Sequence, residues 1–151
     1  MNATAVLLNY QRPYHLQRIV DSLRSHAFIT EILCWNNGAP LALDGAKVLG
    51  RGENLGTYGR FLAAAEATNE LVYVQDDDAL VRNVPELYER FLTHRESITA
   101  GLPNDESSRH FTVEAFKTPW IMLGWGSFFL KDWLHCLNLW IDRYGEDALL
   151  K

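Results

Sequence analysis

The stretch Val72-Tyr73-Val74-Gln75-Asp76-Asp77-Asp78 decides the fold: a short apolar run ending in three adjacent carboxylates. Four to eight apolar residues bounded by polar ones read as a buried strand, and acids at its carboxyl end occupy the position where open α/β sheets collect ligands. If the extended conformation continued to the end, Asp76 and Asp78 would project to one face and Asp77 to the other. Crowded anions repel one another. Hard oxygen donors suit Mg²⁺ or Mn²⁺, and a divalent ion carrying a phosphate turns the repulsion into attraction. The plain alternative is a solvated acidic turn after a strand.

Outward from this stretch, strand and helix signals alternate. Thr4 to Asn9 reads as a buried strand, and Pro13 opens a helix with Leu16, Ile19, Val20 and Leu23 at helical spacing. Ile29 to Trp35 reads as a second strand, stopped by the turn formers Asn36-Asn37-Gly38 and Pro40, and Ala46 to Leu49 as a shorter third. Tyr58 to Ala67 is helical in composition. Pro85 starts another helix through Leu87 and Phe91, before a strand at Ile98 to Leu102. Pro103 to Thr112 is polar and irregular, and Asp132 to Arg143 carries Leu134, Leu137 and Ile141 on a helix face ended by Gly145. This alternation predicts an α/β domain with a mainly parallel sheet flanked by helices.

A chain of 151 residues is long enough for one domain with its own core. A formal charge of −5 and the absence of a basic run argue against nucleic acid as a partner. Cys34 and Cys136 sit in no paired motif, so a reducing compartment is the simpler expectation. No stretch reaches the roughly 18 apolar residues of a membrane span, and no signal peptide opens the chain. The expectation is a cytoplasmic location. The chain ends at Lys151 as another helix begins, which reads as a single domain over 1–151 cut short at its C-terminus.

Several separated pieces occur in one order: Asn9-Tyr10-Gln11-Arg12-Pro13, Trp35-Asn36-Asn37, Asn54 with Arg60-Phe61, the aspartate triplet, Gly124 to Phe129 with its Ser-Phe-Phe, and Glu146-Asp147. That order resembles the nucleotide-sugar glycosyltransferases of the GT-A fold, most of all the exostosin-like domain of glycosyltransferase family 64 and more distantly family 2. The resemblance covers nearly the whole chain. It implies a metal-dependent transferase that moves a sugar from a nucleotide-diphosphate donor, with UDP-sugars expected, to a hydroxyl of a carbohydrate or other acceptor.

The resemblance also implies roles. The triplet stands as the DXD motif: Asp78 is the metal ligand, assisted by Asp76, while Asp76 and Asp77 contact the ribose or donor sugar. Tyr10, Arg12, Asn36 and Asn54 fall where a base and ribose would lie, and each could equally be a turn residue. Arg60 faces the diphosphate, since a guanidinium binds phosphate oxygens bidentately; a surface arginine is the alternative. Glu146 and Asp147 sit where such families present carboxylates to the acceptor, as general base if the reaction inverts, or as positioning groups if it retains. Retention is the expectation for the exostosin-like pattern. Capping of a helix would also suit an acidic pair after Gly145. His110 is a candidate further ligand, and Trp120, Trp125 and Phe128 a candidate sugar platform, though aromatics beside a glycine turn usually belong to a core. A noncatalytic nucleotide- or carbohydrate-binding domain derived from a transferase is the rival reading. A phosphatase or a nucleotidyltransferase fits less well, for want of the Asp-x-Asp-Thr/Val pattern and of a glycine- and lysine-rich phosphate loop respectively.

Overall fold

The computed structural model describes residues 1–50, 53–100, 102–103, 111–112 and 123–145. The central sheet runs β3 (Lys47–Leu49), β2 (Ile29–Asn36), β1 (Ala3–Asn9), β4 (Leu71–Asp76), β8 (Trp125–Leu130) and β5 (Thr99–Ala100). The pairs β3·β2, β2·β1 and β1·β4 are parallel, whereas β8 pairs antiparallel with both β4 and β5. The chain therefore proceeds from β1 outward to β2 and β3, then returns to β4 on the other side of β1. At such a reversal open α/β sheets take their ligands, outside the carboxyl ends of the strands, here β1 and β4.

Alternation along the strands builds two cores. Ala3, Ala5 and Leu7 of β1 and Leu71 and Tyr73 of β4 face one way, under α1 (Pro13–Arg24) and α3 (Val84–Thr93). Leu16, Ile19, Val20 and Leu23 of α1, and Leu87 and Phe91 of α3, close that layer. Each such leucine contributes about 2 kcal/mol by leaving water. On the other face Val6, Val72 and Val74 meet Ala63 and Ala64 of α2 (Gly59–Ala65). Small residues let α2 approach closely: a Cβ at Gly59 would stand 2.1 Å from the Trp35 ring.

Two features depart from the reading of the sequence. The aromatic segment Trp125–Leu130 is a strand, β8, whose inner residues Gly126 to Phe129 are all buried. Burial on both faces removes the polar–apolar alternation that marks a strand, so the run reads as undifferentiated core. The ends of the expected irregular segment, β6 (Leu102–Pro103) and β7 (Phe111–Thr112), pair antiparallel as a two-stranded ribbon. Helix α4 (Leu134–Tyr144) follows a short 3₁₀ turn, and no helix among the described residues is long and apolar enough to cross a membrane.

Candidate functional site

Strand β4 stops at Asp76, and Asp77 and Asp78 lie in the turn beyond it. Asp76 and Asp78 consequently do not share a strand face, which corrects the expectation from simple alternation. The three carboxylates go three ways. Asp76 follows Val72 and Val74 to the α2 side, where Nη2 of Arg60 donates to its Oδ1 at 2.9 Å and its Oδ2 at 3.3 Å. Arg60 is no surface residue: it is 5% exposed, and its Nε has no hydrogen-bond partner.

Asp77 turns to the α1 side and is 5% exposed. Its Oδ2 accepts the backbone N–H groups of Tyr10 at 2.9 Å and Arg12 at 3.3 Å. The carboxylate thus caps the turn leading into α1, next to the positive end of that helix, although it comes from another strand. Arg12 adds a guanidinium 3.5 Å from Asp77 Oδ1 and 3.7 Å from Asp78 Oδ2. Asp78 is left pointing outward with a side chain 44% exposed.

Burial pushes the Asp76 carboxyl above its ordinary value of 3.8; Arg60 opposes the rise, while Asp78 and Asp77 add to it. Desolvation, with the two neighbouring carboxylates, thus outweighs the salt bridge to Arg60. Burial, with Asp77 adding, also raises the buried Cys34 thiol to about 12, which leaves it an inert core residue.

Glycine makes the Asp76 position possible. Asp76 N–H donates to Gly124 O at 2.8 Å, and a Cβ at Gly124 would lie 1.8 Å from Asp76 Oδ2. Any other residue at 124 would displace the carboxylate. Two positions on, Gly126 has a φ of 91° and falls unpaired in the β4·β8 ladder, between the pairs Gln75↔Trp125 and Val74↔Ser127. It is a bulge of the kind glycine permits.

The neighbouring loops are built by asparagines. Asn9 Nδ2 donates to Asn36 Oδ1 at 2.7 Å, Gly38 N–H donates to the same oxygen at 3.0 Å, and Asn36 Nδ2 donates to Ala39 O at 2.7 Å. The Asn36 amide is thereby engaged at both ends in holding the turn after β2. Asn37 ties that turn to the next loop: its Oδ1 accepts from Trp35 Nε1 and Leu55 N–H, each at 3.0 Å, and its Nδ2 donates to Gly56 O at 2.8 Å. Asn54 is exposed, its Oδ1 accepting Gly56 N–H at 2.9 Å. Tyr10 and Arg12 are exposed just beyond the carboxyl end of β1.

Of the residues read from the sequence, Arg12, Arg60 and the triplet come together, with Tyr10 alongside, while Asn36 and Asn54 shape the adjoining turns. Glu146, Asp147, His110 and Trp120 lie outside the described residues. Phe128 is fully buried in the core, in ring contact with Tyr73 at 4.9 Å, and forms no sugar platform. Among the described residues no three His, Cys, Asp or Glu side chains are placed to hold a metal ion. Gln75 and Gly124 stand in stretches singled out from the sequence, but no role for either was read there. A glutamine inside an apolar strand was the available signal for the first.

No family model and no curated protein matches the chain by sequence. Solved structures do match. Residues 1–349 of S. aureus TarS, also solved in complex with UDP-GlcNAc, align with a TM-score of 0.64 at 15% identity, covering 91% of this chain and 49% of that one. Glucosyl-3-phosphoglycerate synthase from Mycobacterium tuberculosis in complex with UDP aligns at 0.63 and 13% identity, over 97% of this chain and 68% of that one. CMP:2-keto-3-deoxy-manno-octonic acid synthetase complexed with CTP aligns at 0.60 and 9% identity, over 99% and 82%. The chain spans about half the length of the TarS 1–349 structure. The fold is a GT-A-like α/β fold, a mostly parallel central sheet flanked by helices, shared with nucleotide-sugar transferases and nucleotidyltransferases.

Proposed function

We infer that this domain transfers a sugar from a nucleotide-diphosphate donor, UDP-linked in the first instance, to a hydroxyl acceptor with the help of Mn²⁺ or Mg²⁺. The observation that carries the reading is the outward Asp78 carboxylate beside a buried Arg60–Asp76 pair, beyond the carboxyl ends of β1 and β4. The donor set suits a hard divalent ion. Asp78 offers a carboxylate that Arg12 approaches only to 3.7 Å, and an ion needing more oxygens than the protein places would take them from the diphosphate. When bound, such an ion would supply Lewis-acid stabilisation of the departing nucleoside diphosphate.

The chain's own residues have distinct tasks in this reading. Arg60 neutralises Asp76 from beneath, and its buried Nε has no hydrogen-bond partner. Arg12 and Tyr10, exposed over Asp77, take the base and ribose side, with the Asn36 and Asn54 turns shaping the wall. Asp77 serves by fixing that loop. Glu146 and Asp147 act on the acceptor hydroxyl as base or positioning groups, an assignment that rests on the resemblance. Two companion structures support the donor class: TarS is solved with UDP-GlcNAc, and the mycobacterial synthase with Mn²⁺ and UDP.

Calorimetry with UDP, in Mn²⁺ and in EDTA, tests the binding half, and a panel of UDP-, GDP- and CMP-sugars with Mn²⁺ tests turnover. Metal-dependent UDP binding with hydrolysis or transfer is the expected result. Equal affinity in EDTA overturns the metal role, binding without turnover converts the domain to a noncatalytic binder, and pyrophosphate release from a nucleoside triphosphate favours a nucleotidyltransferase. On the acceptor side, Asp147→Asn should reduce transfer by roughly 10²–10⁴-fold with UDP affinity intact. Normal transfer by a variant of normal melting temperature would leave Asp147 as a cap.

A further inference from the structure

Beneath the acidic turn runs a buried chain of polar groups that the proposed chemistry does not use. Tyr73 is fully buried, and its hydroxyl donates to Gln75 Oε1 at 2.8 Å. Gln75 is 2% exposed, and its Nε2 donates to the backbone oxygen of Ala79 at 2.5 Å. Alternation places Tyr73 and Gln75 on one face of β4, the face opposite Asp76. The Tyr73 hydroxyl is itself seated under the β8 bulge, 2.8 Å from where a Cβ on Gly126 would be. The strand, the bulge and the turn are therefore linked through one side-chain amide.

We propose that Gln75 is a positioning residue for Asp78: it anchors the turn from below through Ala79, while Asp77 anchors it sideways through Tyr10 and Arg12. Asp78 lies between these two anchors; among the described residues no hydrogen bond holds its carboxylate, and its one ion pair is the 3.7 Å contact with the half-exposed Arg12, too loose to fix an orientation. An exposed aspartate in a short turn would otherwise sample several orientations, and an ion gains affinity when its ligand is already aimed. The acceptor strength of a backbone carbonyl also explains the choice of side chain. Glutamine at 75 can accept from tyrosine and donate to Ala79 at once, whereas an apolar residue of equal size would leave two buried groups unsatisfied. This inference rests on the proposed metal–nucleotide site, and its test separates the two.

The variant is Gln75→Met, of similar volume but with no donor, alongside Ser127→Ala, which removes another buried side-chain hydrogen bond, from Ser127 Oγ to Leu123 O at 3.2 Å. Without any ligand, amide exchange at Asp78, Ala79 and Leu80 should accelerate in Gln75→Met and stay unchanged in Ser127→Ala. With UDP present, the Mn²⁺ concentration for half-maximal binding should rise about tenfold in Gln75→Met and remain within twofold in Ser127→Ala. Tyr73→Phe, which keeps the bond to Ala79, should fall between them. Unchanged amide exchange in Gln75→Met overturns the positioning role, as does a loss of melting temperature with an unshifted Mn²⁺ requirement. Wild-type protein that ignores Mn²⁺ and UDP, while Gln75→Met still loosens the turn, would refute the transferase site and leave Gln75 as its anchor in structure only.

Discussion

The sheet has a polar cluster at each end, and the two are built to opposite effect. At the amino end, Glu31 Oε2 accepts from Thr4 Oγ1 at 2.6 Å, Thr68 N–H at 2.8 Å and Thr68 Oγ1 at 2.9 Å, and Asn69 Nδ2 completes the clasp to Thr4 and Thr30. One carboxylate meets three donors there. At the carboxyl end three carboxylates share two guanidinium groups, and one of them is left facing solvent. Titration follows the same division. Burial works to raise the Glu31 carboxyl, but its hydrogen bonds to Thr4 and Thr68, helped by Lys47, bring it below its ordinary value, whereas Asp76 stays above its own. At the amino end hydrogen bonds outweigh burial; at the carboxyl end burial and the neighbouring aspartates outweigh the salt bridge to Arg60.

Substitutions can break or sharpen that contrast. The largest effect is expected for Arg60→Met, which strands Asp76 among its acidic neighbours. Stability should fall by about 3 kcal/mol at neutral pH, measured by urea unfolding. Asp76 already ionises less readily in the folded state, so its charge costs stability above its raised folded value, and the cost is relieved as pH falls toward 3.8. The Arg60→Met deficit should therefore shrink on acidification. A deficit that is small or insensitive to pH would make the two ends alike.

Gly124→Val comes next. Its Cβ overlaps Asp76 Oδ2, and a strained, overpacked site costs about 2 kcal/mol. Metal-dependent UDP binding should be lost along with it, whereas binding retained at wild-type strength would show that Asp76 need not stand where it does. Asp78→Asn should weaken Mn²⁺-dependent UDP binding at least tenfold, about 1.4 kcal/mol, and leave the melting temperature level or raised, because it relieves repulsion on Asp76 and gives up only a half-exposed 3.7 Å ion pair with Arg12. Falling stability would reclassify Asp78 as a structural residue.

The smallest effect belongs to the closed end. Glu31→Gln should cost about 1 kcal/mol and leave UDP binding untouched. Because the folded value of Glu31 lies below the unfolded one, its contribution is complete above about pH 4.5 and is lost as pH falls through the folded value. Wild type and variant should thus converge in acid. A gap that persists there would locate the stabilisation in packing.

Periodicity and turn chemistry alone determined much of this molecule. The apolar spacing in α1 and α3, the buried runs of β1, β2 and β4, and the breakers at Asn36 to Gly38 follow from local geometry, as does the placing of an acidic triplet at a strand end. Three things were decided only by tertiary structure. Whether a buried aromatic run is strand or core depends on what covers both its faces, and β8 became visible only beside β4. How Asp76, Asp77 and Asp78 divide among α2, the α1 turn and solvent depends on where the strand stops, and that is set by the β8 bulge and by the backbone N–H groups of Tyr10 and Arg12. Arg60 was legible as a cation near the site, yet its burial against Asp76 needed a helix drawn close by Gly59, Ala63 and Ala64. Sequence specifies side-chain chemistry and local period; the direction in which a charge points is fixed by neighbours distant along the chain.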